Sequence, residues 1–223
     1  MPSSNSRRRE RAAAHREIKK EGMAASILQP PISSDPPLPR KRFTRVEVDQ
    51  MLDSGIFAGQ RFELIDGELI DKMGQKPPHA NAIQRCMTML LKIFSAELVR
   101  VQLPMEAGPV DREVSVPEPD LAVLAEAKPD FSRRHPNGRE LTLLIEVSDT
   151  TVRHDATRKR DLYARAGVAE YWVIDLKGRR LIVHSGLNEE KGQYASVRSY
   201  QEDEAVAIEF GTVQSVSVSA LLP

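Results

Sequence analysis

Two acids stand at the ends of apolar runs. In "LTLLIEVSDT" (141–150), Glu146 is the one charge in a stretch, 141–147, otherwise fit for a core strand. In "PEPDLAVLA", Asp120 opens a second apolar run directly after Pro119, whose missing backbone donor suits a strand start. A bare carboxylate in a core is costly unless it is paired or binds a cation. Strand alternation puts Thr142, Leu144 and Glu146 on one face, and Asp120, Ala122 and Leu124 together on a face of the other strand. Both strands read as buried on both sides, as at the centre of a sheet covered by helices. Two carboxylates from adjacent central strands make a hard-oxygen site for Mg²⁺ or Mn²⁺. Spacing alone leaves open that each acid caps a turn or pairs with an arginine.

A lysine adds to the pair. In "DATRKRDLYARAG" a helix is predicted over 155–166, ending at Gly167, a natural residue for the left-handed stop. Its inward face is Ala156, Leu162, Tyr163 and Ala166, and at about 100° per residue Lys159 falls in the middle of that stripe. Arg158, Asp161 and Arg165 project away. An inward ammonium could neutralise the acids, orient a water or support charge on a phosphoryl oxygen; the bland reading is a stem covering core.

The elements that must position these groups follow from the rest of the pattern. Thr44 with Glu47 forms a capping box that opens a short helix. "RFELIDGELIDKM" reads as two strands turned at Asp66-Gly67. A long helix is predicted after "PPH", with Ile83, Cys86, Met87, Leu90, Leu91, Phe94 and Leu98 as its apolar stripe. Strands are expected near 99–106, 114–117, 119–125 and 141–147, then a hairpin of "EYWVIDL" and "RRLIVHS" across Lys177-Gly178, and further strands near the C-terminus. Tyr171 and Trp172 are core by default. The order predicts one mixed α/β domain over 43–223 built around a single sheet.

Composition narrows the function. The chain has 223 residues, 40% of them hydrophobic and 29% charged, with no apolar run near the roughly 20 residues that span a bilayer. A soluble protein without a membrane partner is expected, and the single cysteine, Cys86, reads as a reduced core thiol in a cytosolic setting. Residues 1–45 carry 11 Lys/Arg against 4 Asp/Glu, a net of +7, and the remainder carries −7. Residues 1–42 therefore read as a basic, Pro/Ser-rich tail, with Met23 as an alternative start. The acidic body argues against a broad basic nucleic-acid platform but suits a focused carboxylate site. GxxxxGK[ST], CxxC, HExxH and GxSxG are all absent, which leaves P-loop hydrolysis, structural zinc and serine esterase chemistry without support. His15, His135, His154 and His184 show no ligand spacing.

"FELIDGEL", "PPHANAI", "PEPDLAV", "LLIEVSD" and "DATRKRDLYARAGVAEYWVID", in this order, resemble the Uma-type (Uma-two) restriction endonucleases of the PD-(D/E)XK nuclease superfamily. The resemblance spans about residues 43–185 and is most specific in the D-x-x-x-K-x-x-x-Y-x-x-x-G-V-x-E-Y-W block. It implies a restriction-endonuclease-like core, a central mixed sheet flanked by helices, and a Mg²⁺- or Mn²⁺-dependent nuclease acting on DNA. Asp120 then matches the PD acid and Glu146 the (D/E)xK acid. Ser148 stands where the superfamily's usual lysine would be, and Lys159 on the next helix matches its replacement. Glu63 matches a further acid of the metal site, and His79 a recurrent histidine. Glu68 and Glu118 are additional candidate acids, with Glu118 on the same strand face as Asp120. Asp155 reads as a cap. Double-strand cutting needs two sites, so a homodimer is expected by analogy. A nuclease fold that binds nucleic acid or a partner protein without cutting is the alternative.

Overall fold

The computed structural model describes residues 39–72, 76–127, 131–208 and 214–223. Most of the basic tail expected over 1–42, and Met23, lie outside the described residues.

Helix α1 (Arg45–Asp53) begins at the predicted capping box, with Thr44 accepting from the Glu47 N–H and the Glu47 carboxylate accepting from the Thr44 N–H. Strands β1 (Phe62–Ile65) and β2 (Glu68–Asp71) form the expected hairpin. Asp66 and Gly67 take φ of 48° and 76°, the left-handed pair that a two-residue turn requires. A Cβ on Gly67 would also lie 2.8 Å from the Arg42 Cβ, so the turn needs glycine twice over.

Helix α2 (Pro77–Ile93) starts on the two prolines themselves, where a missing N–H costs nothing. Its buried stripe is Ala82, Ile83, Cys86, Met89 and Leu90; Leu91 is exposed. Phe94 turns extended and ends the helix, so Leu98 falls in a separate turn, Ala96–Leu98. The predicted stripe was therefore too long and slightly misrotated. Burial pushes the Cys86 thiol up to about 12, which keeps it inert.

Strands β3 (Val99–Val101), β4 (Leu121–Leu124), β5 (Leu141–Ser148), β6 (Glu170–Asp175), β7 (Arg180–Asn188) and β8 (Gln193–Gln201) form one sheet in that order. Neighbours are antiparallel except β5 and β6, which are parallel and joined through the helical segment 152–166. The expected strand at 114–117 reduces to a single bridge between Leu64 and Val116. A last hairpin pairs β9 (Ala205–Ile208) with β10 (Gln214–Ser217).

Helix α3 has three parts: Val152–His154, a wide π turn Asp155–Lys159, and Arg160–Ala166, closed by Gly167 at φ 91°. It packs on one sheet face through Tyr163 and Ala166 against Leu144, Tyr171 and Val173. The other face, with Leu121, Val123, Leu143, Ile145 and Trp172, is covered by α2 and by Val206, Ile208 and Val216. A sheet covered on both sides explains why β4 and β5 read as nearly continuous apolar runs. No described helix is long and apolar enough to cross a membrane.

Candidate active site

The register of β4 against β5 decides where the acids meet. Leu121 pairs with Ile145, so Asp120, one residue earlier, comes level with Glu146. Both are 4% exposed and both line a cavity of about 230 Å³ beside the sheet. Glu63 from β1, His79 from α2 and Lys159 from α3 line the same cavity, so five of the seven candidate residues converge there from separate parts of the chain.

Asp120 is held by donors. The Val147 N–H reaches Oδ2 at 2.9 Å, Gln102 Nε2 reaches Oδ1 at 3.3 Å, and His79 Nε2 lies 3.4 Å from Oδ2. Gln102 grips the residue a second time, its backbone N–H donating to the Asp120 carbonyl from a left-handed φ of 50°. Such strained backbone is found preferentially at functional sites. Burial raises the Asp120 carboxyl, but the His79 contact and the Val147 N–H outweigh it and hold the group below its ordinary range. In return the Asp120 contact raises His79 against its own burial.

Glu146 is held by the lysine. Lys159 Nζ is 2.9 Å from Glu146 Oε1 and 2.7 Å from Glu63 Oε1, and the Tyr163 hydroxyl donates to the same Glu146 oxygen at 2.7 Å. One ammonium thus serves two buried carboxylates. Burial pushes Glu146 up to about 8; Lys159 opposes this, while Asp120, Asp155 and Glu63 add to it. Burial lowers Lys159, but Glu146, Glu63 and Asp155 outweigh it, so the ammonium stays charged.

Lys159 reaches the acids because the turn carrying it is clamped. Asp155 Oδ2 accepts from Ser148 Oγ at 2.5 Å and Thr151 Oγ1 at 2.7 Å, and its carbonyl accepts from the Tyr171 hydroxyl at 3.1 Å. Asp155 lies inside the helical run, buried, so the cap reading is corrected: it ties α3 to β5 and β6. Ser148, in the place of the usual lysine, supplies one of those ties instead of a charge. Arg158 faces outward as predicted and binds the β1–β2 turn through Asp66 and Glu68, fixing the hairpin that bears Glu63.

Two candidate acids stand outside the cavity and a third lies within it. Glu118 points to Arg61 and Lys72 and does not line the cavity; only its N–H takes part, donating to Glu63 Oε2 at 3.2 Å. Glu68 is engaged with Arg158 and also stands outside. Glu63 is inside, with one oxygen beside the Lys159 ammonium and the other accepting from the Glu118 N–H. The sequence had not picked out Gln102, the Tyr163 hydroxyl or His154, which also lines the cavity. Tyr163 was visible as i+4 from Lys159 but read as core; Gln102 carried no local signal.

Residues 46–219 match the Uma2 family, described as "Putative restriction endonuclease". The chain belongs to that family. Its class is therefore that of the nucleases, hydrolases acting on nucleic acid, as the motif set implied. Among solved structures, a crystal structure described as "a putative nuclease belonging to DUF820 from Anabaena variabilis ATCC 29413" is similar at a TM-score of 0.57. It is 16% identical, with 76% of this chain and 96% of that chain covered, and the likeness bears on the fold alone. No curated protein matches the chain in sequence.

The donor set fits a divalent cation. Asp120 and Glu146 Oε2, which accepts none of the bonds above, offer hard oxygens to one cavity. No group of three His, Cys, Asp or Glu among the described residues is placed to enclose an ion.

Proposed function

We propose that the chain hydrolyses phosphodiester bonds of DNA, with Mg²⁺ or Mn²⁺ held by Asp120 and Glu146 and with Lys159 as the catalytic cation of the protein. The observation that supports this most is the level placement of two buried carboxylates on adjacent strands, with the Lys159 ammonium 2.9 Å from one of them. A divalent cation, when bound, lowers the pKa of water and offsets charge on the scissile phosphate. Val147, Gln102 and His79 orient Asp120 so that its oxygens meet the cavity ready-made rather than after rearrangement. Two of the three Lys159 protons are engaged by Glu63 and Glu146; the third can orient a water or stabilise a phosphoryl oxygen. Glu63 keeps Lys159 charged, and His79 is an accessory that steadies Asp120.

The test is cleavage of plasmid DNA with Mg²⁺ or Mn²⁺. Asp120→Ala, Glu146→Ala and Lys159→Ala should each abolish it with circular dichroism unchanged. Cleavage unaltered in all three defeats the assignment. The engagement of Glu146 by Lys159 and Tyr163 favours a second reading, a silent nuclease-fold module that binds nucleic acid or a partner protein. Calorimetry separates them, because a silent module need not take up Mg²⁺ or Mn²⁺.

A further inference from the structure

The two edges of the sheet differ. β3 has three residues, whereas β8 runs for nine, and its outer side pairs with no strand among the described residues. Soluble proteins usually protect such an edge by shortening it, bending it, or placing lysine or proline on it. β8 has no lysine, no proline and a single charge, Arg198. Seven of its residues are exposed, and Val197 at its centre is 58% exposed.

The strand sequence, QYASVRSYQ, reads nearly the same in both directions about Val197. We propose that β8 pairs antiparallel with β8 of a second copy of this chain, on a two-fold axis through Val197, so that two six-stranded sheets join. A closed two-fold contact requires one surface to complement itself, and a near-palindromic edge strand does so about its centre. Val197 then meets its own copy, Ala195 meets Ser199 and Ser196 meets Arg198. A β-branched pair on the axis is favourable, and no like charges stand opposite one another.

The neighbouring registers with the same facing are worse. Centred on Arg198, pairing would set two guanidinium groups against each other. Centred on Ser196, it would leave Tyr200 and Gln201 beyond the end of the facing strand. Arg198 is already drawn along its own chain, 4.3 Å over the Tyr200 ring and 3.8 Å from Glu204, so Ser196 faces it without competition. The join would add about eight to ten backbone hydrogen bonds, the usual source of affinity in strand addition. The inference does not depend on the chemistry proposed above.

Sedimentation velocity on the full chain tests it, alongside Val197→Lys and Val197→Asp. The wild type should sediment at twice the 25.0 kDa chain mass. Each variant alone should be monomeric with unchanged circular dichroism, because like charges meet on the axis. An equimolar mixture of the two variants should recover the dimer, since opposite charges then meet. A monomeric wild type, a dimer that survives both substitutions, or a mixture that stays monomeric overturns the proposal.

Discussion

Asp120 and Glu146 are equally buried and stand level on neighbouring strands, yet their carboxyls are shifted in opposite directions. The depth of burial is the same, so the difference lies in the partners. Asp120 has a backbone N–H, an amide and a histidine to itself, all bonding its charged form. Glu146 shares one ammonium with Glu63 and sits beside two further acids, Asp120 and Asp155. One half of the cavity is finished by the protein; the other is short of positive charge. That imbalance is what a divalent cation would remove, and it can be broken from either side.

The largest effect should come from the shared cation. Lys159→Met leaves two buried carboxylates facing each other and should cost about 3–5 kcal/mol, the usual penalty for orphaning a buried charge. Urea unfolding at pH 8 measures it. A smaller loss at pH 6, where proton uptake relieves the repulsion, is expected too.

Next in size is Glu146→Gln, which should stabilise the cation-free protein at alkaline pH. The folded carboxyl is raised to about 8 from an ordinary 4.5, so the folded state holds a proton that the unfolded chain releases. Stability from this group therefore falls as pH rises from 4.5 to 8. The amide copies the protonated form and should remove that slope, gaining roughly 2–4 kcal/mol at pH 9. Thermal melts across pH show it, and Mn²⁺ should then stabilise the wild type but not the variant. Asp120, with a lowered carboxyl, contributes the opposite slope: its stability is lost only as pH falls through its folded value, below 3.8.

The finest probe is Tyr163→Phe. It removes one of two donors to Glu146 Oε1 and should cost about 1–2 kcal/mol. It should also move the pH midpoint of Mn²⁺ binding upward, because the ionised carboxylate loses a bond, while Asp120 is untouched. A midpoint that stays in place in calorimetry would show that the hydroxyl serves packing alone.

Local patterns carried much of this molecule. The capping box at Thr44, the Asp66-Gly67 turn and the two apolar strands depend on neighbours within a few residues, and each appears where the pattern placed it. The same holds for Lys159, whose inward direction follows from helical spacing alone. Longer-range features were misread for matching reasons. The end of α2 depends on Phe94 turning extended, and Glu118 found Arg61 and Lys72 from residues 46 to 57 positions away. Gln102 is unremarkable in the chain; its grip on Asp120 exists only because β3 pairs with β4.

What the sequence determined by itself was which residues could do chemistry and which faces they occupy, because alternation and helical period are set by backbone geometry over a few residues. Tertiary structure decided the partners. The β4–β5 register brought Asp120 level with Glu146, and the hairpin carrying Glu63 gave Lys159 a second acid to hold. Charge sharing between groups tens of residues apart has no local signature, since it arises only when separate elements pack and exclude water.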